Sequence, residues 1–250
     1  MLIHQIWIGN KAPPEKWMKG IRDFSNNYGH TYMFWGNKEV RSLDLKRYNL
    51  HRIFNEFSKS KNKNKWAGMA DLLRMIILFE KGGVYIDSDS MMVNPSKLDQ
   101  FIRKNNQGIW YAESSKEKPT LIANGTIGCE KGDPHMFKML SIIQDYADSN
   151  KEKEVWERTG PGFVTYYVKN FYPDPKAFQI FPSDYFYPYG WHGLRETPTE
   201  FPKVSMLYQI GYTTNSLGDK DSNKSLTSIA LFSAIFISIW YFTRSKRKGF

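Results

Sequence analysis

The chain has one cysteine in 250 residues, Cys129. An intrachain disulfide framework is therefore excluded. One argument for an oxidising compartment falls away with it, although such a compartment is not excluded. Cys129 closes the stretch Thr126-Ile127-Gly128-Cys129 and reads as a small core residue. The opening Met1–Gly9 has neither a basic leader nor an apolar run long enough for a secretory signal, so none is expected. Motifs for nucleic-acid recognition are also missing, so no nucleic-acid partner is expected despite a net charge of +10. There is no internal repeat, and nothing in the composition marks a disordered or fibrous chain.

What is present is a globular composition rich in aromatics, with 15 Tyr, 17 Phe and 8 Trp. That suits either a carbohydrate- or base-stacking surface or an aromatic core. The length allows one domain of ordinary size with an appendage. Four of the basic residues, Arg244, Lys246, Arg247 and Lys248, fall in the last seven positions. Another cluster, Lys59, Lys61, Lys63 and Lys65, reads as a solvated loop or as an attractor of anions. Residues 225–243 carry no charge, and Trp240 and Tyr241 lie at one end. As a helix at about 1.5 Å per residue this run reaches about 28 Å, enough for a bilayer core of about 30 Å. We expect a transmembrane helix there, with an aromatic belt and the basic tail 244–250 following it. Residues 219–224 read as a linker and residues 1–218 as the main domain.

Along that domain, residues 2–9 read as a short buried strand ending at Gly9, followed by a turn at Pro13-Pro14. Residues 15–25 read as a helix and Tyr32–Trp35 as a second strand, a β-α-β opening. Ala67, Ala70, Leu73, Ile76, Ile77 and Glu80 have helical spacing, and Gly82-Gly83 is a natural stop. Val84-Tyr85-Ile86 then reads as a strand. Further strands are expected at 109–112 and 121–129, and helices at 134–148 and 162–171. The Pro- and aromatic-rich 173–202 stretch has no clear period.

At the end of the 84–86 strand stand Asp87 and Asp89. In a strand, residues i and i+2 point to the same face, so Asp87 and Asp89 are expected to present two carboxylates side by side at its C-terminal end. Open α/β sheets bind ligands at that edge. Adjacent carboxylates repel unless a proton or cation intervenes, and a hard divalent ion, Mn²⁺ or Mg²⁺, fits oxygen ligands. Such an ion neutralises a departing diphosphate. A D-x-D alone is weak, since it occurs by chance. A phosphatase of the haloacid-dehalogenase type expects Thr or Val two residues past the second Asp, where this chain has Met91. A calcium-binding loop needs a third oxygen ligand and a Gly in register, and Val93 argues against it.

Context is more specific. Ala70-Asp71-Leu72-Leu73-Arg74 followed by Gly82-Gly83-Val84-Tyr85-Ile86-Asp87-Ser88-Asp89 resembles the signature of glycosyltransferase family 32. His4–Gly9, Asn124–Gly128 with Gly132-Asp133-Pro134, Thr159–Gly162 and Phe186-Tyr187-Pro188 resemble its other blocks, in order, over roughly residues 2 to 190. The resemblance implies a GT-A fold: an α/β, Rossmann-like, mostly parallel sheet with helices on both faces. It implies metal-dependent transfer of a hexose from a nucleoside diphosphate sugar to a hydroxyl of a glycan, lipid or protein acceptor, with retention at the anomeric carbon. No residue stands out as a covalent nucleophile, so the residues themselves are silent on stereochemistry.

By the same resemblance, Trp7 stacks on the donor base or is a core Trp. Asp71 and Arg74 hold the donor sugar, and Tyr85 lines the site or the core. Asp87 touches ribose or sugar hydroxyls, and Asp89 is the direct metal ligand. Asn124 belongs to the sugar pocket or to a turn. The Thr159–Gly162 turn faces an anion or the acceptor, or is a plain turn. Asp87, Asp89 and Arg74 are thus the candidate catalytic residues. The family's late block rich in His and Trp is replaced here by Ile210–Leu217, where Asn215 or Ser216 offers an oxygen to the metal, and His192 is another replacement. That departure leaves open an inactive nucleotide-sugar-binding homologue, with a D-x-D phosphatase behind it. The basic tail favours a cytoplasmic C-terminus. A lumenal domain would then need translocation without a leader, so a tail-anchored chain with its catalytic domain in the cytosol is slightly favoured.

Overall fold

A computed structural model describes residues 1–117, 120–171, 174, 177–189 and 198–211. The expected linker, transmembrane helix and basic tail lie outside the described residues. Among the described residues no helix is long and apolar enough to cross a membrane.

The β-α-β opening is present. Strand β1 is Leu2–Ile6, helix α1 is Glu15–Asn27 and strand β2 is Thr31–Trp35, parallel to β1. β1 stops at Ile6, short of the expected Gly9: Gly9 has φ +110° and is held by Asn37 through two hydrogen bonds. Helix α2 is His51–Lys59, and its apolar face, Ile53 and Phe57, is buried. The Lys59–Lys65 cluster spans the gap between α2 and helix α3, Lys65–Lys81. α3 is buried without interruption from Asp71 to Leu78, as befits a helix enclosed by other elements.

α3 passes into strand β3, Gly83–Ile86, through two glycines in left-handed territory, Gly82 at φ +67° and Gly83 at φ +106°. A Cβ at Gly82 would lie 2.7 Å from the Lys131 amide nitrogen, and one at Gly83 would lie 2.5 Å from the Leu2 carbonyl oxygen. Only glycine combines that conformation with that approach. The neutral imidazole of His4 seals the junction. Its Nε2–H donates to the Gly82 carbonyl (2.8 Å) and its Nδ1 accepts from the Trp35 indole (3.1 Å). Burial holds the His4 pKa below its ordinary value, against the opposing Gly82 bond.

Then follow strand β4 (Ser90–Met92), helix α4 (Pro95–Lys104), strands β5 (Ile109–Glu113) and β6 (Ile122–Cys129), and helices α5 (Pro134–Ser149), α6 (Val155–Arg158) and α7 (Pro161–Asn170). Strand β7 (Phe178–Phe181) and strand β8 (Leu207–Gln209) complete the described elements. Asn94 caps α4 by accepting from the Lys97 amide, and Asp133 caps α5 by accepting from those of His135 and Met136.

The main sheet has the order β2-β1-β3-β6-β5-β7. β1 is parallel to β2 and β3, β5 is parallel to β7, and β6 is antiparallel to both of its neighbours. The sheet is therefore mostly parallel with one reversed strand. β4 and β8 form a separate antiparallel ribbon. Strand alternation sorts the core into two layers. Ile6, Tyr85, Ile109, Tyr111 and Ile127 join α2, α3, α5 and α7 on one face. Ile3, Val84, Ile86, Trp110 and Ala112 join α1 and α4 on the other. Cys129 is buried, as expected.

Two glycines with opposite surroundings test this packing. A Cβ at Gly128, on β6, would fall 1.9 Å from the buried Trp110 indole nitrogen, whereas one at Gly20, on α1, meets only Met92 at 3.5 Å. Gly128→Ala is expected to destabilise by about 1–3 kcal/mol or more through overpacking. Gly20→Ala is expected to stabilise by about 0.5–1 kcal/mol, because alanine loses less backbone entropy in a helix. Chemical denaturation of both variants measures the two signs, and equal effects would contradict the packing described.

Candidate functional site

β1 and β3 run the same way, so their C-terminal ends meet at one edge of the sheet. Trp7 follows β1 there and is half-buried, its indole donating to the Lys11 carbonyl (2.8 Å). Asp87 follows β3. The expectation that Asp87 and Asp89 share a strand face is not met: β3 ends at Ile86, and residues 87–90 form a turn closed by the Ser90 amide on the Asp87 carbonyl (3.0 Å).

The physical reason is a set of bonds that draws the turn away from a ladder. The Asp87 amide still reaches the Gly125 carbonyl (2.7 Å), but the Asp87 carbonyl accepts from the Gln5 side chain (3.2 Å). The Ser88 hydroxyl donates to the Ile6 carbonyl (2.8 Å), and the Asp89 carbonyl accepts from the Ile210 amide (3.1 Å). Ser88, the middle residue of the motif, thus fixes the turn onto β1.

The Asp87 carboxylate is held from several sides. Its Oδ1 accepts from the Tyr85 hydroxyl (2.7 Å) and lies 3.2 Å from Arg74 Nη2. Its Oδ2 accepts from Gln209 Nε2 (2.5 Å). Arg74 Nη2 also lies 3.2 Å from Asp71 Oδ1, and Nη1 donates to the Asn124 carbonyl. The guanidinium stacks over the Tyr85 ring, 4.3 Å from its centroid. Asp71 accepts in turn from Asn124 Nδ2 (2.8 Å) and from the Thr159 hydroxyl (3.0 Å). Burial disfavours the Arg74 charge, yet Tyr85, Asp87 and Asp71 outweigh it and hold its pKa above the ordinary value. Burial pushes Asp71 up to about 6, against Arg74 and its two hydrogen bonds. Burial likewise drives the Tyr85 hydroxyl well above its usual range, so it stays a donor.

The structure therefore joins Asp71, Arg74, Tyr85, Asp87 and Asn124 in one network, with Asp89 two residues further along the turn. Asn124 reaches it because β6 runs backwards and presents residues 124 and 125 at the edge where β3 ends. Its alternative reading as a turn residue is corrected, since it lies inside β6. Thr159 is engaged with Asp71 and the Val155 carbonyl, and Gly160 caps α7. Asn215, Ser216 and His192 lie outside the described residues. Gln5, Ser88 and Gln209 were not singled out by the sequence, since each acts through a partner on a distant strand.

At this turn the charged ligands on offer are carboxylate oxygens, which suit Mg²⁺ or Mn²⁺. Among the described residues no group of three or more His, Cys, Asp or Glu side chains is placed to hold a metal. The donor set fits an ion that one or two carboxylates share with a diphosphate, the usual manner for Mg²⁺.

Residues 14–108 match the model of a glycosyltransferase sugar-binding region containing a DXD motif. An uncharacterised glycosyltransferase of Acanthamoeba polyphaga mimivirus is 29% identical over 204 residues, 79% of this chain and 76% of the relative. An inositol phosphoceramide mannosyltransferase of Schizosaccharomyces pombe is 26% identical over 161 residues, 58% of this chain and 37% of the relative. Among solved structures, the PaToxG glycosyltransferase superposes with a TM-score of 0.50 at 23% identity, covering 70% of this chain and 72% of its own.

Arg74→Met is expected to cost about 3–5 kcal/mol at pH 7.5, because it leaves the buried Asp71 and the half-buried Asp87 carboxylates without their cation. The loss has a pH signature. Asp71 has a folded-state pKa of about 6, above its ordinary 3.8, so its ionised form already opposes folding at neutral pH. Without Arg74 that pKa rises further, and protonation relieves the strain as the pH falls. The gap between wild type and variant should narrow at pH 5; the His4 contribution is common to both and cancels. Denaturant melts at the two pH values measure it, and a constant gap would exclude the coupling.

Proposed function

We propose that this chain, a glycosyltransferase with a DXD-containing sugar-binding region, moves a hexose from a nucleoside diphosphate sugar to a hydroxyl of a glycan, lipid or protein acceptor, with retention at the anomeric carbon. The observation that carries the reading is the Asp87–Asp89 turn at the sheet edge, with Asp87 fixed by Arg74, Tyr85 and Gln209. A Mn²⁺ or Mg²⁺ ion, when bound, supplies positive charge to the leaving diphosphate. Asp89 would hold it with Asp87 beside it, and the sequence offers Asn215 or Ser216 as a further oxygen.

Trp7, half-buried at the end of β1, offers its face to the nucleotide base. Asp87 accepts from a hydroxyl of the donor. Asp71, Arg74, Tyr85 and Asn124 form the floor that keeps Asp87 oriented. The S. pombe relative is named for a mannosyl transfer to inositol phosphoceramide, which makes a mannosyl donor and a lipid acceptor the first pair to try. The uncharged 225–243 run serves as a single membrane anchor with the catalytic domain in the cytosol. Deleting residues 219–250 should then yield a soluble protein that keeps donor binding; sedimentation of the truncated protein with carbonate-washed membranes would remove the anchor.

Asp89→Asn tests the reaction. The change keeps the shape and removes the anionic ligand, so Mn²⁺-dependent release of sugar should collapse while the fold survives. Wild type should melt higher with Mn²⁺ and a nucleoside diphosphate, and the variant should gain much less. Full activity in the variant, or wild-type activity undiminished by exhaustive chelation, would sink the metal-dependent reading. Wild type that binds donor and never turns it over would identify an inactive homologue, with the departure at Ile210–Leu217 as its cause.

A further inference from the structure

We propose that Gln209 is a positioning residue for Asp87, an uncharged clamp that fixes the carboxylate without reducing the negative charge of the site. The inference rests on the reading of the Asp87–Asp89 turn as the donor site.

Gln209 ends β8 and lies in register with Ser90 on β4, the residue that closes the turn. Its Nε2 donates to Asp87 Oδ2 at 2.5 Å, and the next residue, Ile210, gives its amide to the Asp89 carbonyl. Two consecutive residues thus hold both acidic positions. Tyr85 and Arg74 act on Oδ1 alone. A carboxylate held at one oxygen still swings about its terminal torsion, which is broad and soft, and the bond at Oδ2 removes that freedom. A carboxylate offers about four lone-pair sites. The Tyr85 and Gln209 bonds occupy one lone pair on each oxygen and the Arg74 ion pair crowds Oδ1, so the remaining lone pair at Oδ2 is the one open to a hydroxyl of the donor.

The neighbouring strand is shaped for this contact. A Cβ at Gly125 would lie 2.5 Å from Gln209 Oε1 and 2.6 Å from Asp87 Oδ2, so any side chain there would force the pair apart. Side-chain chemistry narrows the choice further. Lysine or arginine at 209 would set a second cation beside Asp87, in addition to Arg74, and oppose a metal ion, and glutamate would repel Asp87. The amide orients Asp87 and leaves its charge to attract the ion.

The test uses the full chain with Mn²⁺ and two probes, UDP-glucose and GDP-mannose, with UDP and GDP as their truncated counterparts. Gln209→Met keeps the length and loses the donor; Gln209→Glu keeps the shape and reverses the interaction. Loss of a hydrogen bond to a charged group is expected to lower kcat by about 10- to 100-fold in Gln209→Met while UDP or GDP binding changes by about twofold at most. Gln209→Glu should be weaker still at pH 7.5, despite matching glutamine in shape, and intact-donor affinity should follow the same order. Gly125→Ala, which presses on both Gln209 and Asp87, should lower turnover in the same sense. Turnover in Gln209→Glu equal to or above that of Gln209→Met would overturn the inference. So would losses that merely track a fall in melting temperature, which would make Gln209 a stitch of the ribbon. If wild type binds a donor and releases no sugar, the reaction proposed above fails, while the binding order still decides the role of Gln209. If wild type is active and the order is absent, the Gln209 inference fails alone.

Discussion

The Arg74 guanidinium lies 3.2 Å from Asp71 and 3.2 Å from Asp87, inside a protein layer that excludes most solvent. It also reaches the Asn124 carbonyl and covers the Tyr85 ring. α3, β3 and β6 are thereby joined by one side chain, and Thr159, ahead of α7, is joined through Asp71. Only a planar cation with several fixed donors makes these contacts at once; a lysine ammonium matches the charge without the fork. Buried ion pairs add little stability over an apolar core of the same shape, but they are costly to break. Their persistence here follows from geometry: the arrangement ends in a carboxylate, Asp87, fixed at the edge of the sheet where a ligand docks.

Sheet topology delivers the rest. Had β6 run parallel to β3, its N-terminal residues would lie at the far edge. Because it is reversed, Asn124 and Gly125 arrive beside the end of β3, and the Gly125 carbonyl accepts the Asp87 amide. The short β4–β8 ribbon then brings Gln209 and Ile210 back to the same turn across more than a hundred residues. Three segments distant in sequence therefore converge on three residues, 87 to 89.

Much of this was legible in the chain. α3 and its Gly82-Gly83 stop, the β-α-β opening and the 109–112 and 121–129 strands lie within a few residues of their predicted bounds, because each combines a clear period with a terminal signal. α2 and α4 carry only short local marks, without the long period that announces a helix. Ile53 and Phe57 stand four apart, and Asn94-Pro95 is a cap followed by proline at the first helical position. β7 and β8 are too short for a period to emerge. The Asp87–Asp89 segment reads as a continuing strand on alternation alone, and the Ser88 and Gln5 bonds that make it a turn are invisible without the neighbouring strand. Asp71, Arg74 and Asp87 were found through their resemblance to known blocks. Gln209 had no such signal, since an isolated glutamine carries none.

The two acids of the motif are not equivalent, and the difference bears on how a cation is held. Asp87 Oδ1 accepts from Tyr85 and pairs with Arg74 while Oδ2 accepts from Gln209, so two-oxygen coordination by Asp87 would compete with all three partners. Among the described residues no larger set of charged ligands supplements it. An ion at this turn would complete its shell with water, with the Asn215 or Ser216 oxygen, or with oxygens that arrive with the donor. To the extent that donor oxygens complete it, cation and nucleotide affinities are coupled, and by linkage each raises the other by the same factor. A rigid Asp87 serves that coupling: a carboxylate free to rotate toward the ion would bind it in the absence of nucleotide, and the dependence of one ligand on the other would weaken.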